Sequence, residues 1–291
     1  MDERAALKRI AATLPAAGDD AAVVDGQVIT TDMLHERTDF PAGTTRYTAG
    51  WRAVGASLSD VAGMGARATV AVSAYAAPSF DEVELEAYLD GARDVCDAVG
   101  AEYVGGDLDT HSEFTVATTA LGETDTPVLR SGAKPGDVVA VTGGLGRSAA
   151  ALRLFEQGEL DRANDLFQFT PRVAAGVALA PHASAMMDIS DGVARSLHQL
   201  AEASDCGFAV EEAAIPVVDA VGELAADATD RRELSLFFGE DFELLVTIPE
   251  AAWEGAVSAC PDPLTRIGAV TDGGIEMDDN SLPDRGYTHG N

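Results

Sequence analysis

Three features of the 291-residue chain predict an α/β (α+β) fold in two domains. Stretches with apolar residues every third or fourth position alternate with short β-branched runs, so helices and strands alternate along the chain. The length suits one large or two ordinary domains. A segment rich in turn formers, residues 124–135, interrupts the alternation, and the boundary is set within it, giving domains 1–131 and 132–291.

The first element is a hairpin. Gly18-Asp19-Asp20 leads into a short strand, Asp25-Gly26 makes the turn, and Val28-Ile29-Thr30-Thr31-Asp32 returns as a β-branched strand ending in a polar pair. If the strands pair, these carboxylates converge at one end. Adjacent carboxylates repel unless protons or a cation intervene, and Mg²⁺ is usually held by one or two carboxylates together with substrate phosphates. Alone, Gly-Asp-Asp is ordinary turn chemistry. Residues 44–64 carry Trp51, Val54, Leu58, Val61 and Met64 at helical spacing. Ser59 and Asp60 lie off that stripe, so Asp60 can point back toward the hairpin's acids. A buried strand over 68–77, an amphipathic helix over 80–99, a strand over 102–104 running into Gly105-Gly106-Asp107, and a strand over 114–121 complete the first half.

The second half opens with a strand over 137–142, then Gly143-Gly144-Leu145-Gly146-Arg147-Ser148 starting a helix. Strand, glycine loop and helix invite a dinucleotide reading. It is rejected, because no second strand with a ribose-binding acid follows at the usual distance. Nor does the chain contain a Walker lysine. After a helix over 171–179, a strand over 185–189 delivers Asp188, and Ser190-Asp191-Gly192 begins a helix reaching 203. Ser190 or Asp191 could serve as its N-cap. Residues 239–245, Gly-Glu-Asp-Phe-Glu-Leu-Leu, read as a strand with its acids at the entrance.

Composition bounds the environment. A hydrophobic content of 46% allows a sizeable core, and the net charge of −30, from 19 basic against 49 acidic residues, opposes binding to nucleic acid or anionic membrane. Only Lys8 and Lys134 are lysines. Self-repulsion on this scale implies a salt-adapted, halophilic protein, and melting temperature should then rise from low to molar KCl; a flat or falling series removes that inference. Cys96, Cys206 and Cys260 read as free thiols in a reducing compartment. No apolar run suits a signal peptide or a membrane span, so the expectation is a soluble, cytoplasmic protein.

Acids recur at element boundaries beside small residues: Asp20, Asp32, Ser59-Asp60, Gly106-Asp107, Asp188 with Asp191, and Glu240-Asp241. This ordered series, from Gly18 to Tyr287, resembles the thiamine-monophosphate kinase family of the aminoimidazole ribonucleotide synthetase and selenophosphate synthetase superfamily. The resemblance implies the two-domain synthetase-superfamily fold, with a mixed-sheet N-terminal domain that pairs in a homodimer and an α/β C-terminal domain. It implies ATP-dependent phosphorylation of thiamine monophosphate to thiamine diphosphate, by direct in-line transfer with several Mg²⁺ ions and no side-chain nucleophile. By the same resemblance Asp20, Thr30, Thr31, Asp32, Asp60, Asp107, Asp188 and Asp191 are metal ligands. Gly106, Asp107, Arg130 and Ser190 contact the nucleotide. Glu240 and Tyr287 contact thiamine, the tyrosine offering a face to an aromatic cation. Relatives usually carry histidine immediately before Phe40, where this chain has Asp39; three readings stand: His35 swings into that space, Asp39 contacts the thiazolium or an additional Mg²⁺, or the position lies at the rim and matters little. Rival readings are another ATP-dependent synthetase of the superfamily and a non-catalytic acidic metal-binding protein. Against the first, no cysteine lies in the first 95 residues and the chain ends in Asn291, not in a reactive cysteine.

Overall fold

The computed structural model of the chain describes residues 6, 9–14 and 16–287. Asp25 and Gly26 adopt φ values of 51° and 80°, the left-handed pair that joins two strands in a tight hairpin. The flanking strands β1 (Ala22–Val24) and β2 (Gln27–His35) pair antiparallel, Ala22 opposite Ile29. A helical turn, Glu36–Asp39, follows, and then the long helix α1 (Arg46–Gly63), capped where Thr45 accepts a hydrogen bond from the Thr48 amide. Val54, Leu58, Val61 and Met64 of the expected apolar stripe are fully buried.

Strand β3 (Arg67–Ala77), helix α2 (Glu82–Val99), β4 (Glu102–Thr110) and β5 (Thr115–Glu123) complete a five-stranded sheet ordered β1-β2-β5-β3-β4. The sheet is mixed, since β3 and β4 run parallel and the other neighbours antiparallel. Here one expectation changes: the strand expected over 102–104 does not end at Gly105-Gly106-Asp107, which is the middle of β4. The register slips between Ala71 and Val72, and a Cβ on Gly106 would stand 1.7 Å from the Ser73 carbonyl oxygen. Glycine inside a strand marks just such a bulge or close backbone approach.

The second half contributes β6 (Val138–Thr142), α3 (Arg147–Gln157), α4 (Leu160–Phe167), α5 (Val173–Leu179), β7 (Ala185–Asp188), α6 (Val193–Ser204), β8 (Gly207–Val210), β9 (Leu244–Ile248), β10 (Leu264–Thr271), β11 (Ile275–Met277) and β12 (Asn280–Ser281). Its seven strands are ordered β12-β11-β8-β10-β6-β9-β7. Strands β6, β7 and β9 are buried throughout, as continuous apolar runs should be in a covered sheet. Two further expectations change. Residues 239–243 are a loop, with Glu240 and Phe242 at φ 55° and 54°, and the strand begins only at Leu244. Ser190 and Asp191 do not cap α6; Gly192, at φ 96°, occupies that position.

Helix α1 packs on β2 and β5 on one side and on β7 and α5 on the other, so it joins the two halves. That position explains its sequence: from Tyr47 to Ser59 it carries a single charge, Arg52. Among the described residues no helix is long and apolar enough to cross a membrane, and Cys96, Cys206 and Cys260 are free.

Candidate active site

Four aspartates from four elements meet where α1 bridges the two sheets. Asp20 enters from the loop before β1, Asp32 from β2, Asp60 from the last turns of α1 and Asp188 from the end of β7. The two-residue period of β2 turns Thr30 and Asp32 to the side that faces α1. Thr30 Oγ1 donates to Asp60 Oδ2 at 2.5 Å, Ser57 Oγ to Asp32 Oδ2 at 2.7 Å, and Ser59 Oγ to Asp188 Oδ2 at 2.8 Å. The Asp188 amide donates to Asp20 Oδ2 at 3.3 Å. Gly63 permits this approach, because a Cβ there would lie 2.2 Å from Asp20 Oδ2.

Arg130 supplies the cluster's positive charge. Its Nε donates to Asp20 Oδ1 at 2.9 Å and its Nη2 to the same oxygen at 2.5 Å, while its amide donates to both oxygens of Asp19. Burial alone would lower the Arg130 pKa, but Asp20, Asp19 and Asp188 push it above the ordinary arginine value. For the acids, burial pushes every pKa up first. It raises Asp20, raises Asp32, and moves Asp188 to about 8, with the Asp20 charge adding to Asp188. Asp60 stands well above the usual carboxylate range through burial and then repulsion from Asp32, Asp188 and Asp20. Asp19 rises to about 6, by burial and then by Asp20.

The donor set fits a hard divalent cation. Asp188 Oδ1 is buried with no hydrogen-bond partner, and desolvated carboxylates that repel one another are stabilised by a cation between them. Among the described residues no three or more His, Cys, Asp or Glu side chains already form a metal cage. Mg²⁺ does not need one, since it keeps waters and takes substrate phosphates as ligands.

A cavity of about 390 Å³ is lined by Arg37, Asp39, Phe40, Phe155, Phe238, Glu240 and Tyr287, among others. Aromatic walls with three carboxylates, the buried Asp39, the half-buried Glu240 and the exposed Glu156, suit a flat cationic ligand. Asp39 is buried, and its Oδ2 accepts from the His35 amide at 2.6 Å and from Thr38 Oγ1 at 2.8 Å, so it caps the helical turn above the cavity. His35 does not swing toward the cavity: its ring packs at Thr115 Oγ1, 3.1 Å away, on the other face of the first sheet.

The remaining sequence-derived residues divide. Ser190 and Asp191 lie in the turn after Asp188, where the Ser190 carbonyl accepts from the Glu240 amide at 2.6 Å and the Asp191 carbonyl from the Tyr287 amide at 3.1 Å. One turn therefore touches both the acid cluster and the cavity. Thr31 points away from the cluster, donating to the Thr118 carbonyl on the outer face of the sheet. Gly106 and Asp107 sit on edge strand β4, with β5 and β3 between it and β2. At nearly 5 Å per strand that is a separation of about 14 Å, too far for Asp107 to share an ion with Asp32 in one chain.

Two residues have no role in the sequence reading, although Asp241 stands there among the recurring acids. The first is Arg52, signalled only as the single charge between Tyr47 and Ser59 of α1. The second is Asp241, which is buried and accepts from the Gly146 and Arg147 amides at 2.8 and 3.0 Å. It occupies the N-terminus of α3, where the dinucleotide reading would have put a phosphate. Burial pushes its pKa well up, and its Oδ2 has no partner.

Comparison with known proteins now adds to this geometry. The family model described as AIR synthase related protein, N-terminal domain, matches residues 18–124, and the one described as the C-terminal domain matches residues 134–279. The thiamine-monophosphate kinase of Halobacterium salinarum is 61% identical over 291 residues, covering 99% of this chain and 100% of that protein. The thiamine-monophosphate kinase of Methanospirillum hungatei is 42% identical over 279 residues, covering 93% of this chain and 92% of its own. A solved structure described as AaThiL complexed with AMPPCP and TMP superposes with a TM-score of 0.90 at 28% identity, covering 99% of this chain and 97% of that one. The chain belongs to the thiamine-monophosphate kinase family of the AIR synthase related proteins.

Proposed function

We propose that this chain phosphorylates thiamine monophosphate to thiamine diphosphate, with ATP as the phosphoryl donor. The observation that carries the reading is the juxtaposition of a buried four-aspartate cluster with an aromatic, acid-bearing cavity. Asp60 and Arg52 mark the two ends on α1: two helical turns, about 12 Å at 1.5 Å per residue, lead from beneath the cavity to the acids. That span suits a substrate with a cationic aromatic end and a phosphate end.

Asp20, Asp32, Asp60 and Asp188, with Thr30 and Asp191, would hold several Mg²⁺ ions, whose charge offsets that of the phosphates. Arg130 and Ser190 are the nucleotide contacts in this reading. Arg130 exchanges its carboxylate partners for phosphate oxygens, which a guanidinium binds in the same fork geometry. Glu240 and Tyr287 take the thiamine end, and Asp39 shapes its entrance by fixing the turn over residues 36–39. The protein's own task is then to orient the acceptor phosphate in line with ATP and to exclude water. No protein nucleophile is required.

A homodimer and the two-domain division at residue 131/132 belong to the same reading. Ile29 and Met33 are 39% and 58% exposed on the outer face of the first sheet, the face that also carries Thr31 and Asp107. A second copy packed there would bury this apolar surface and place Thr31, Gly106 and Asp107 at an interface. One experiment addresses activity and assembly together: ADP release with ATP, Mg²⁺ and thiamine monophosphate, against hydroxymethylpyrimidine phosphate and selenide, with molar mass by light scattering. Turnover is expected with thiamine monophosphate alone. The wild type is expected as a dimer and Met33→Asp as a monomer. Turnover with neither thiamine monophosphate nor the alternatives refutes the kinase, and a dimeric Met33→Asp refutes the interface.

A further inference from the structure

We propose that Arg52 is a positioning residue: it fixes the Glu240 carboxylate against the cationic, aromatic end of the substrate. The inference rests on the reading that the cavity takes thiamine monophosphate, and it adds the element that sets the cavity's acid in place. Arg52 is only 2% exposed, an unusual location for a guanidinium unless it is fully paired. Its plane lies over the Phe167 ring, 3.6 Å from the centroid, with Phe169 and Phe242 at 5.6 and 5.4 Å. Those last two rings stack on each other at 4.1 Å and 11° and pack against Ala56, one turn along α1. Nη1 donates to the Phe167 carbonyl at 2.9 Å and Nη2 to Glu240 Oε2 at 2.8 Å. Ring faces and both ends of the fork thus fix the guanidinium in one orientation.

Glu240 needs such an anchor. Its backbone is held in the left-handed region by the Ser190 carbonyl and by Ser148 Oγ, which donates to the Glu240 carbonyl at 2.6 Å. Those bonds fix the main chain and leave the side-chain torsions to Arg52. The Arg52 bond engages Oε2, so Oε1 remains for a ligand. Asp39 and Asp241 also lie within the electrostatic reach of Arg52, which makes it the cation around which the acidic wall is balanced. Because α1 also carries Asp60, the same helix indexes the aromatic end of the substrate and the metal cluster to one rigid element.

The test uses Arg52→Met, Arg52→Lys, Glu240→Gln and the double variant Arg52→Met/Glu240→Gln in the full chain. KM and calorimetric Kd for thiamine monophosphate are expected to rise roughly 10- to 100-fold in Arg52→Met, the scale of one charge-assisted hydrogen bond, with KM for ATP unchanged. Lysine should recover only part of this, because it can neither stack nor fork. If Arg52 acts through Glu240, the double variant loses no more than Glu240→Gln alone. A merely structural role would instead move both KM values and kcat together. A folded Arg52→Met with wild-type Kd, or additive losses in the double variant, overturns the proposal. Should Arg52→Met not fold, wild-type Kd in Arg52→Lys overturns it equally. An unchanged Kd in Glu240→Gln overturns the cavity reading itself, and this inference with it.

Discussion

Asp188→Asn and Asp60→Asn are expected to lower kcat about 10³-fold or more while leaving the melting temperature of the metal-free protein unchanged or higher. The magnitude follows from charge stabilisation worth several kcal/mol at about 1.4 kcal/mol per decade of rate. The opposite sign for stability follows from the site's electrostatics. Burial and mutual repulsion raise the pKa values of Asp60 and Asp188, so each ionised carboxylate destabilises the folded chain when no cation is bound. Replacing one by a neutral amide removes that repulsion and keeps a partner for Ser59 or Thr30. Residues selected for chemistry against stability behave this way, whereas a structural acid loses stability and activity together. Turnover at saturating Mg²⁺ and melting in chelator provide the two readouts. Wild-type turnover in either variant removes that aspartate from the site, and a fall in both quantities makes its role structural.

How much of this was legible beforehand depended on the range of the interaction involved. The hairpin followed from local chemistry, since Asp25-Gly26 between β-branched runs leaves little choice. Helix α1 followed from its apolar period, and the convergence of Asp20, Asp32 and Asp60 from placing that helix beside the hairpin. What failed depended on distant backbone. The strand expected over 102–104 is bounded at Gly105-Gly106, yet it runs on to Thr110, and Gly106 is required there by the Ser73 carbonyl on the neighbouring strand. The alternation of residues 239–245 reads as a strand, yet Gly239 packs against the turn at Ser190 and Asp191, where a Cβ would lie 2.5 Å from the Ser190 oxygen. That contact holds Glu240 and Phe242 at positive φ until Leu244. The separation of Thr31 from its neighbours could have been foreseen: strand period alone puts it opposite Thr30 and Asp32. Arg52 left one trace, a charge in an apolar helix, and its partners come from residues more than a hundred positions away.

Magnesium is expected to raise the melting temperature by several degrees at about pH 8.5 and by much less at about pH 5, with saturating ion giving roughly 2–3 kcal/mol through binding to the folded state alone. The pH dependence comes from the raised acids. The Asp188 carboxyl, ordinarily titrating at 3.8, is moved to about 8 in the folded chain, and Asp19 to about 6. Between about pH 4 and pH 8 the folded protein therefore keeps protons that the unfolded chain has released, so these groups make the metal-free protein less stable as pH rises, with no further change above about 8. A divalent ion must displace those protons to bind. Near pH 5 it competes with them and adds little; near pH 8.5 it meets bare, repelling carboxylates and relieves the strain directly. Other titrating groups affect the melting temperature equally with and without the ion, so the difference between the paired scans isolates the cluster. Asp188→Asn should flatten that difference across the same window. An Mg²⁺ shift of equal size at both pH values would mean that the ion binds elsewhere on the acidic surface.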